Sequence, residues 1–432
     1  MPDFEVIARH GEDFVVNTTT AGTQGRPRLA RLNSDGFVVV WMDLSDPDGG
    51  GEIRAQIHDV SGAKVGGEIP VNTVTAGAQG QPGVARLASG GFVVSWTGPG
   101  IGDNSSEGRG QIFDATGAKV GGEFATFRHD QGRPMDVTGL PGGGFVIVST
   151  TAAGQVYDAL GAAVGSAFRV GGPTDAIGAA VATLTDGRFV VATTHIESGS
   201  LVQLFDSAGN KVGVETRAQL SSQLGGLVSL AALEGGRFIL GWARAELYPY
   251  RESDAAAQIF DSSGNKVGGE IRLNTTTEGR QSDVSFAGVP GGGFLATWTD
   301  RFTSTFGQLF DASGARLGGE FRVGYTGVSL ALIGSERIVV VSDGPDAGNP
   351  GGTAGGVRAQ IFQGSEAPPV ALVASTTSLS EIAVANIAAI KLSATPSGGD
   401  ATYSFALVSD PTGGAFRIDG DRLVVADSER LD

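Results

Sequence analysis

Four carboxylates fall within ten residues in the segment Asp43-Leu-Ser-Asp46-Pro-Asp48-Gly-Gly-Gly-Glu52. Hard oxygen donors at that density, with glycines allowing tight turns, can surround Ca²⁺. Asp43, Asp46, Asp48 and Glu52 are therefore the candidate metal ligands, and Ca²⁺ is the one cofactor the sequence suggests. The spacing is not that of a twelve-residue helix–loop–helix site, and a solvated polar turn accounts for the same residues. Weaker carboxylate segments recur at Asp103-Asn-Ser-Ser-Glu107 and Asp343-Gly-Pro-Asp346. A second kind of chemistry is concentrated in Arg244-Ala-Glu-Leu-Tyr248-Pro-Tyr250-Arg251, which holds two of the chain's 5 tyrosines. Aromatic faces beside guanidinium groups can hold a sugar or a peptide. Arg244, Tyr248, Tyr250 and Arg251 are the candidate ligand-binding residues. The plain alternative is tyrosines packed on a neighbouring element.

Catalytic residues are not legible. The 4 histidines are His10, His58, His129 and His195. His58 stands where sibling segments carry an aromatic residue, so it reads as part of a core. No Gly-x-Ser-x-Gly, His-Glu-x-x-His or phosphate-cradling loop is present. With no Cys there are neither disulfides nor thiolate metal sites. The net charge of −16 leaves nothing to offset a phosphate backbone, which argues against nucleic acid. It also argues against an anionic membrane surface. No apolar run approaches the roughly 18 residues of a membrane span.

The elements that must position these residues are announced by repetition. A Gly-rich turn, an aromatic and a β-branched run recur as Asp35-Gly-Phe-Val-Val-Val-Trp41, Gly90-Gly-Phe-Val-Val-Ser-Trp96 and Gly292-Gly-Phe-Leu-Ala-Thr-Trp298, among others. The anchors Phe37, Phe92, Phe145, Phe189, Phe238, Phe294 and Ile338 are spaced 44 to 56 residues apart. After each comes a second phrase such as Gly110-Gln-Ile-Phe-Asp-Ala-Thr-Gly117, then in six copies a run such as Lys64-Val-Gly-Gly-Glu-Ile-Pro-Val-Asn-Thr73. Each unit reads as four short strands, a to d, with Asp-x-x-Gly as the c–d hairpin. Recurrence of Asp59, Asp114, Asp158, Asp206, Asp261 and Asp311 at that turn makes them turn residues. Trp41, Trp96, Trp242 and Trp298 each follow an anchor by four residues, which points to packing of blade on blade, with a ligand platform as the alternative.

Strand b is apolar on both faces, as in a small sheet held between two neighbours. Seven such units predict an all-β fold, a seven-bladed β-propeller over residues 11–365, with an open stack or solenoid as the alternative. The chain ends favour the ring. The seventh unit lacks strand d after Gln363, and an unclaimed strand d, Gly11-Glu-Asp-Phe-Val-Val-Asn-Thr18, stands at the start. The a–b and c–d turns should share one face, and the variable b–c connections the other. Any ligand should meet the variable face.

The paired phrases Gly-Gly-Phe-Val-Val-x-Trp and Gly-Gln-x-Phe-Asp-x-x-Gly-x-x-Val-Gly-Gly-Glu-Phe resemble repeats of bacterial secreted calcium-binding proteins of the repeat-in-toxin kind. The resemblance covers about residues 11–365. It implies placement outside the cell or at its surface, without a cleavable N-terminal signal, and adhesion-like roles. From Glu366 the composition changes. Lys391-Leu-Ser-Ala-Thr395 and Gly413-Gly-Ala-Phe-Arg-Ile-Asp-Gly-Asp-Arg-Leu-Val-Val425 resemble a partial cadherin-like β-sandwich over 366–432, with Pro396-Ser397 where that family carries Asp-x-Asp. The resulting expectation is a non-catalytic, monomeric binding or scaffold module that grips a glycan or protein ligand, or calcium, on its variable face. It does not insert into a membrane. The alternative is a carbohydrate-active lyase or glycosidase on the same fold. Ionisable residues converging near the axis would favour the enzyme. An axis lined by Gly, Ala and Ser would favour the scaffold.

Overall fold

The computed structural model describes residues 6–20, 22–32, 36–45, 50–99, 106–128, 135–149, 151–171, 176–195, 199–219, 228–245, 253–277, 279–300, 304–345, 355–365, 372–374, 388–394, 416–419 and 422–425. The chain separates into two compact units, Met1–Ser365 and Glu366–Asp432.

In the first unit every repeat folds into one four-stranded antiparallel sheet in the order a-b-c-d, giving seven blades. Blade 1 runs through Gln24–Arg31, Phe37–Asp43, Glu52–His58 and Lys64–Pro70, and blade 2 through Gly80–Arg86, Phe92–Pro99, Ser106–Phe113 and Lys119–Arg128. The a strands of blades 3 to 7 are Met135–Gly139, Ala176–Thr183, Ser229–Ala232, Gln281–Gly288 and Ser329–Ile333. Each a strand lies against the a strands on either side, and that of blade 7 against that of blade 1, so they form a closed inner ring. The fold is therefore a seven-bladed β-propeller.

Strand b is buried on both faces because each blade is covered on both sides. Every residue of Phe145–Ser149 and Phe189–His195 is buried. The tryptophans lie between blades, as their recurrence predicts. Trp96 packs with Val38, Val40, Ile53 and Ala55 of blade 1, and Trp41 with Val339, Val341 and Val357 of blade 7.

The ring closes through the N-terminal strand. Val6–Val15 pairs antiparallel with Gly356–Ser365, the c strand of blade 7, completing the sheet. Asn17 Oδ1 accepts the Val357 amide at 2.8 Å, and Arg358 Nε donates to Asp13 Oδ2 at 2.6 Å. The same joint recurs where no closure occurs: Asn72 accepts Ile53 N, and Asn274 accepts Ala255 N, both at 2.8 Å.

The conserved-looking letters of each repeat have specific tasks. Asp206 Oδ1 accepts the amides of Ala208 and Asn210, and the other turn aspartates do the same two and four residues on. The Gln of strand c bridges a bulge in strand d that opens at a glycine with positive φ, Gly66 at 71° in blade 1. Gln56 Nε2 donates to Ile57 O at 3.0 Å and to Val65 O at 3.3 Å, serving carbonyls the bulge leaves out of register. The Glu of Gly-Gly-Glu latches neighbouring blades: Glu68 Oε1 accepts the Thr19 amide at 3.1 Å, and Glu123 Oε1 the Val74 amide at 3.3 Å.

In the second unit the described residues form a single four-stranded sheet from Leu372–Ala374, Ala388–Ala394, Arg422–Val425 and Phe416–Asp419.

Candidate functional site

The inner edges of the seven a strands have no strand to pair with, so side chains must serve their backbone groups. One layer makes this visible. Opposite the third residue after each anchor stand Arg28, Gly83, Asp136, Ala180, Ser229, Ser285 and Ser329. Ser329 Oγ accepts the Leu29 amide at 3.3 Å, and Ser285 Oγ donates to Val328 O at 3.4 Å. Asp136 accepts the amides of Val137 and Val181 at 2.9 Å each. Five positions of the layer are small, and two carry opposite charges. The layer surrounds a cavity of about 390 Å³ lined by residues from all seven blades, Asp283 included.

Above this layer, towards the face of the b–c connections, the a strands bulge. Arg26, Gln81 and Asp283 each stand two residues before the layer residue, and each takes a left-handed backbone with φ of 54°, 55° and 51°. Gly327 does the same before Ser329, at 70°. Blades 6, 7, 1 and 2 are consecutive around the ring, so these four bulges form one arc. Non-glycine residues rarely adopt this conformation, at a cost of order 1 kcal/mol each, and such strain gathers where a site needs it. Asp343, at the end of strand b in blade 7, fills the centre of the arc. Its Oδ1 accepts the Arg26 amide at 2.8 Å, and its carboxylate leaves no room for a Cβ on Gly327.

The mouth is thus built from Arg26 and Arg28 together with Asp283, Asp343 and, deeper, Asp136. Burial pushes the carboxyls of Asp136 and Asp343 above their ordinary value, against the amide hydrogen bonds and the Arg28 charge that pull them down. Burial likewise lowers Arg28, with Asp136, Asp343 and Asp283 opposing it. The Arg28 side chain is hemmed in by protein yet opens onto the lumen. Among the described residues its guanidinium makes one hydrogen bond, to Pro27 O at 2.9 Å, so other donors are available to a guest.

The residues singled out from sequence are distributed differently. Asp43 is buried, accepts Gln24 Nε2 at 3.1 Å and Ser45 N at 2.9 Å, and lies 3.6 Å from Arg54 Nε. Glu52 pairs with Arg54 Nη2 at 2.6 Å. Both carboxylates thus serve an arginine, while Asp46 and Asp48 lie outside the described residues. Among the described residues no three His, Asp or Glu gather as a metal ion would require. Arg244 pairs with Glu270 at 3.3 Å, and Tyr248, Tyr250 and Arg251 lie outside the described residues. Glu107 pairs with Arg109 at 3.4 Å, and Asp103 and Asp346 are also outside. His58 stacks on Phe37 with ring centres 5.0 Å apart, and His195 is fully buried with Nε2 2.9 Å from Thr193 Oγ1. His10 lies in the closing strand and His129 outside the described residues.

Of the mouth residues, only Asp343 was among the sequence candidates. Arg26, Arg28, Asp136 and Asp283 sit on a strands, whose sequences repeat weakly. For Arg28 and Asp136 the signal was charge at a register position where sibling blades carry Gly, Ala or Ser, and that register is visible only once the strands are paired.

No family model matches the chain, and no curated protein matches it. Among solved structures, a protein of unknown function from Dyadobacter fermentans superposes with a TM-score of 0.52 at 10% identity, covering 83% of this chain and 99% of that one. A Hadza microbial sialidase superposes with a TM-score of 0.44 at 13% identity, covering 82% of this chain and 68% of that one. The first likeness is one of fold alone, and at the second score the likeness carries no argument about function.

Proposed function

We propose that the chain is a binding and scaffold module of a secreted or surface protein, taking a small polar ligand, a glycan terminus, at the axial mouth on its variable face. The observation that supports this reading is the arc of bulges from four consecutive blades, three of them strained at a non-glycine residue, which bring Arg26, Gln81, Asp283 and Asp343 to one rim above Arg28. Guanidinium and carboxylate groups together recognise hydroxyl pairs by donating and accepting at once. The small residues of the layer below keep the channel open to a sugar-sized group, within the 300–1,000 Å³ of ordinary ligand sites. Adhesion follows if the glycan belongs to another surface.

A second reading is a glycosidase or lyase. It is favoured by the gathering of Arg28, Asp136 and Asp283 around the axial cavity, and burial shifts the carboxyls of Asp136 and Asp343 upward, the direction a general acid needs. A glycan array probed with the purified chain, read for both retention and released product, tests the two. Retention without product, lost in Arg28→Ala and Asp283→Ala, is the expected result. Product release abolished by Asp136→Asn would replace binding with catalysis. Absence of both, or retention untouched by these changes, overturns the axial assignment.

A further inference from the structure

The seam between blades 6 and 7, away from the axial mouth, gathers three arginines from three elements. Arg9 comes from the closing N-terminal strand, Arg322 from strand d of blade 6 (Arg316–Gly324), and Arg358 from strand c of blade 7; they line a pocket of about 140 Å³ with Asp13, Tyr325 and Ser342. Tyr325 holds the group together. Arg322 Cζ lies 5.6 Å from the centre of its ring, and both Tyr325 Cδ2 and Arg358 Cδ lie 2.9 Å from where a Cβ on Gly344 would stand. Arg9 Nη2 donates to Arg322 O at 3.4 Å, which keeps the first two arginines adjacent.

The repeats supply an internal control. Arg54 and Arg109 occupy the position of Arg358 in blades 1 and 2, each directly before the residue that precedes the strand-c Gln. Arg54 is balanced by Asp43 and Glu52, and Arg109 by Glu107 and Glu123. Arg358 has one carboxylate among the described residues, Asp13 at 2.6 Å, with Nη1 donating to Pro345 O at 3.1 Å, and it is joined by two further arginines. Among the described residues neither Arg9 nor Arg322 pairs with a carboxylate. In a chain of net charge −16, this seam carries a local excess of two positive charges. Like charges held close together repel, and an anion between them removes the repulsion.

We propose that this seam binds a tetrahedral oxyanion, a sulfate or phosphate group. Arginines from three elements line the pocket, and guanidinium groups suit the acceptor oxygens of such an ion. The pocket is below the size of ordinary small-molecule sites, so it admits one such group and not the body of a ligand. The ion would also fasten the N-terminal strand to blade 6, adding to ring closure.

The test uses the whole chain at constant ionic strength. Melting temperature is followed against millimolar inorganic sulfate and inorganic phosphate, with chloride as the control, and binding to a sulfated oligosaccharide is compared with its desulfated counterpart. A saturable rise in melting temperature, its midpoint shifted at least tenfold in Arg9→Gln and in Arg322→Gln, is expected if the free ion is the guest. Binding of the sulfated oligosaccharide at least tenfold tighter than inorganic sulfate, weakened by the same changes, places the group on a larger ligand. Arg28→Ala should leave the sulfate-induced rise in melting temperature and its midpoint unchanged, which separates this site from the axial mouth. A general solvent effect of sulfate acts equally on all variants. Titrations that are identical in wild type and both variants, or reproduced by chloride, overturn the site. Both arginines are exposed, so either variant decides alone should the other fold poorly.

Discussion

His58 stands where the other strand-c phrases carry Phe113, Tyr157, Phe205, Phe260, Phe310 and Phe362. Its ring lies within 5° of parallel to Phe37, and Nδ1 donates to Gly62 O at 2.9 Å. It thus does the packing work of a phenylalanine while carrying a titratable group. Burial holds its pKa below the ordinary 6.5, with the Gly62 carbonyl partly opposing. Below pH 6.5 the unfolded chain therefore takes up a proton that the folded chain resists. Stability is full above 6.5 and falls as the pH drops towards the folded value. His58→Phe should remove that slope. Its melting temperature should exceed wild type by more at pH 5 than at pH 8, and equal differences at the two pH values would mean His58 is protonated as readily in the fold as out of it.

The blades are joined by side chains that differ from seam to seam. Trp96 Nε1 donates to Gln79 Oε1 at 2.9 Å inside the seam between blades 1 and 2. Trp41 Nε1, at the equivalent place between blades 7 and 1, has no hydrogen-bond partner among the described residues. Both indoles are fully buried, so each loses similar packing on replacement by Phe. The difference is the hydrogen bond, and a buried acceptor left unpaired costs about 1 kcal/mol or more. Trp96→Phe should accordingly lower stability by about 1 kcal/mol more than Trp41→Phe, measured by urea unfolding. Equal losses would show that the Trp96–Gln79 bond contributes nothing net.

Closure is a property of the ring as a whole. Phe14 and Val16 enter the core shared by blades 7 and 1, with Ile361, Val357 and Trp41. Removing the first eighteen residues takes away these side chains, the Asn17 joint and the outer strand of blade 7. At about 1.5–3 kcal/mol for each large apolar side chain, the loss is roughly 5 kcal/mol or more. It also bares the edge of Gly356–Ser365, a template for pairing with another chain. A chain beginning at Thr19 should melt much lower and self-associate in size-exclusion chromatography. A synthetic peptide spanning 6–18 should reverse both effects. An unchanged melting profile would mean the ring holds without its closing strand.

Strand b, the Asp-x-x-Gly turns, the sevenfold count and the spare strand at the start were legible in the sequence, because local pattern and hydrogen bonding within a few residues dictate them. The buried tryptophans belong to the same class, since recurrence at one offset implies one environment. The axial mouth was not legible. Arg26, Arg28, Asp136, Asp283 and Asp343 are separated by up to 317 residues, as in the bond from Arg26 N to Asp343, and they meet only because seven sheets close about one axis. The seam of Arg9, Arg322 and Arg358 has the same origin: the first and last strands of the ring become neighbours when the circle shuts. Local energetics fix each blade from within its own repeat of about fifty residues, whereas a site shared between blades depends on their order around the ring and on which register position carries a charge.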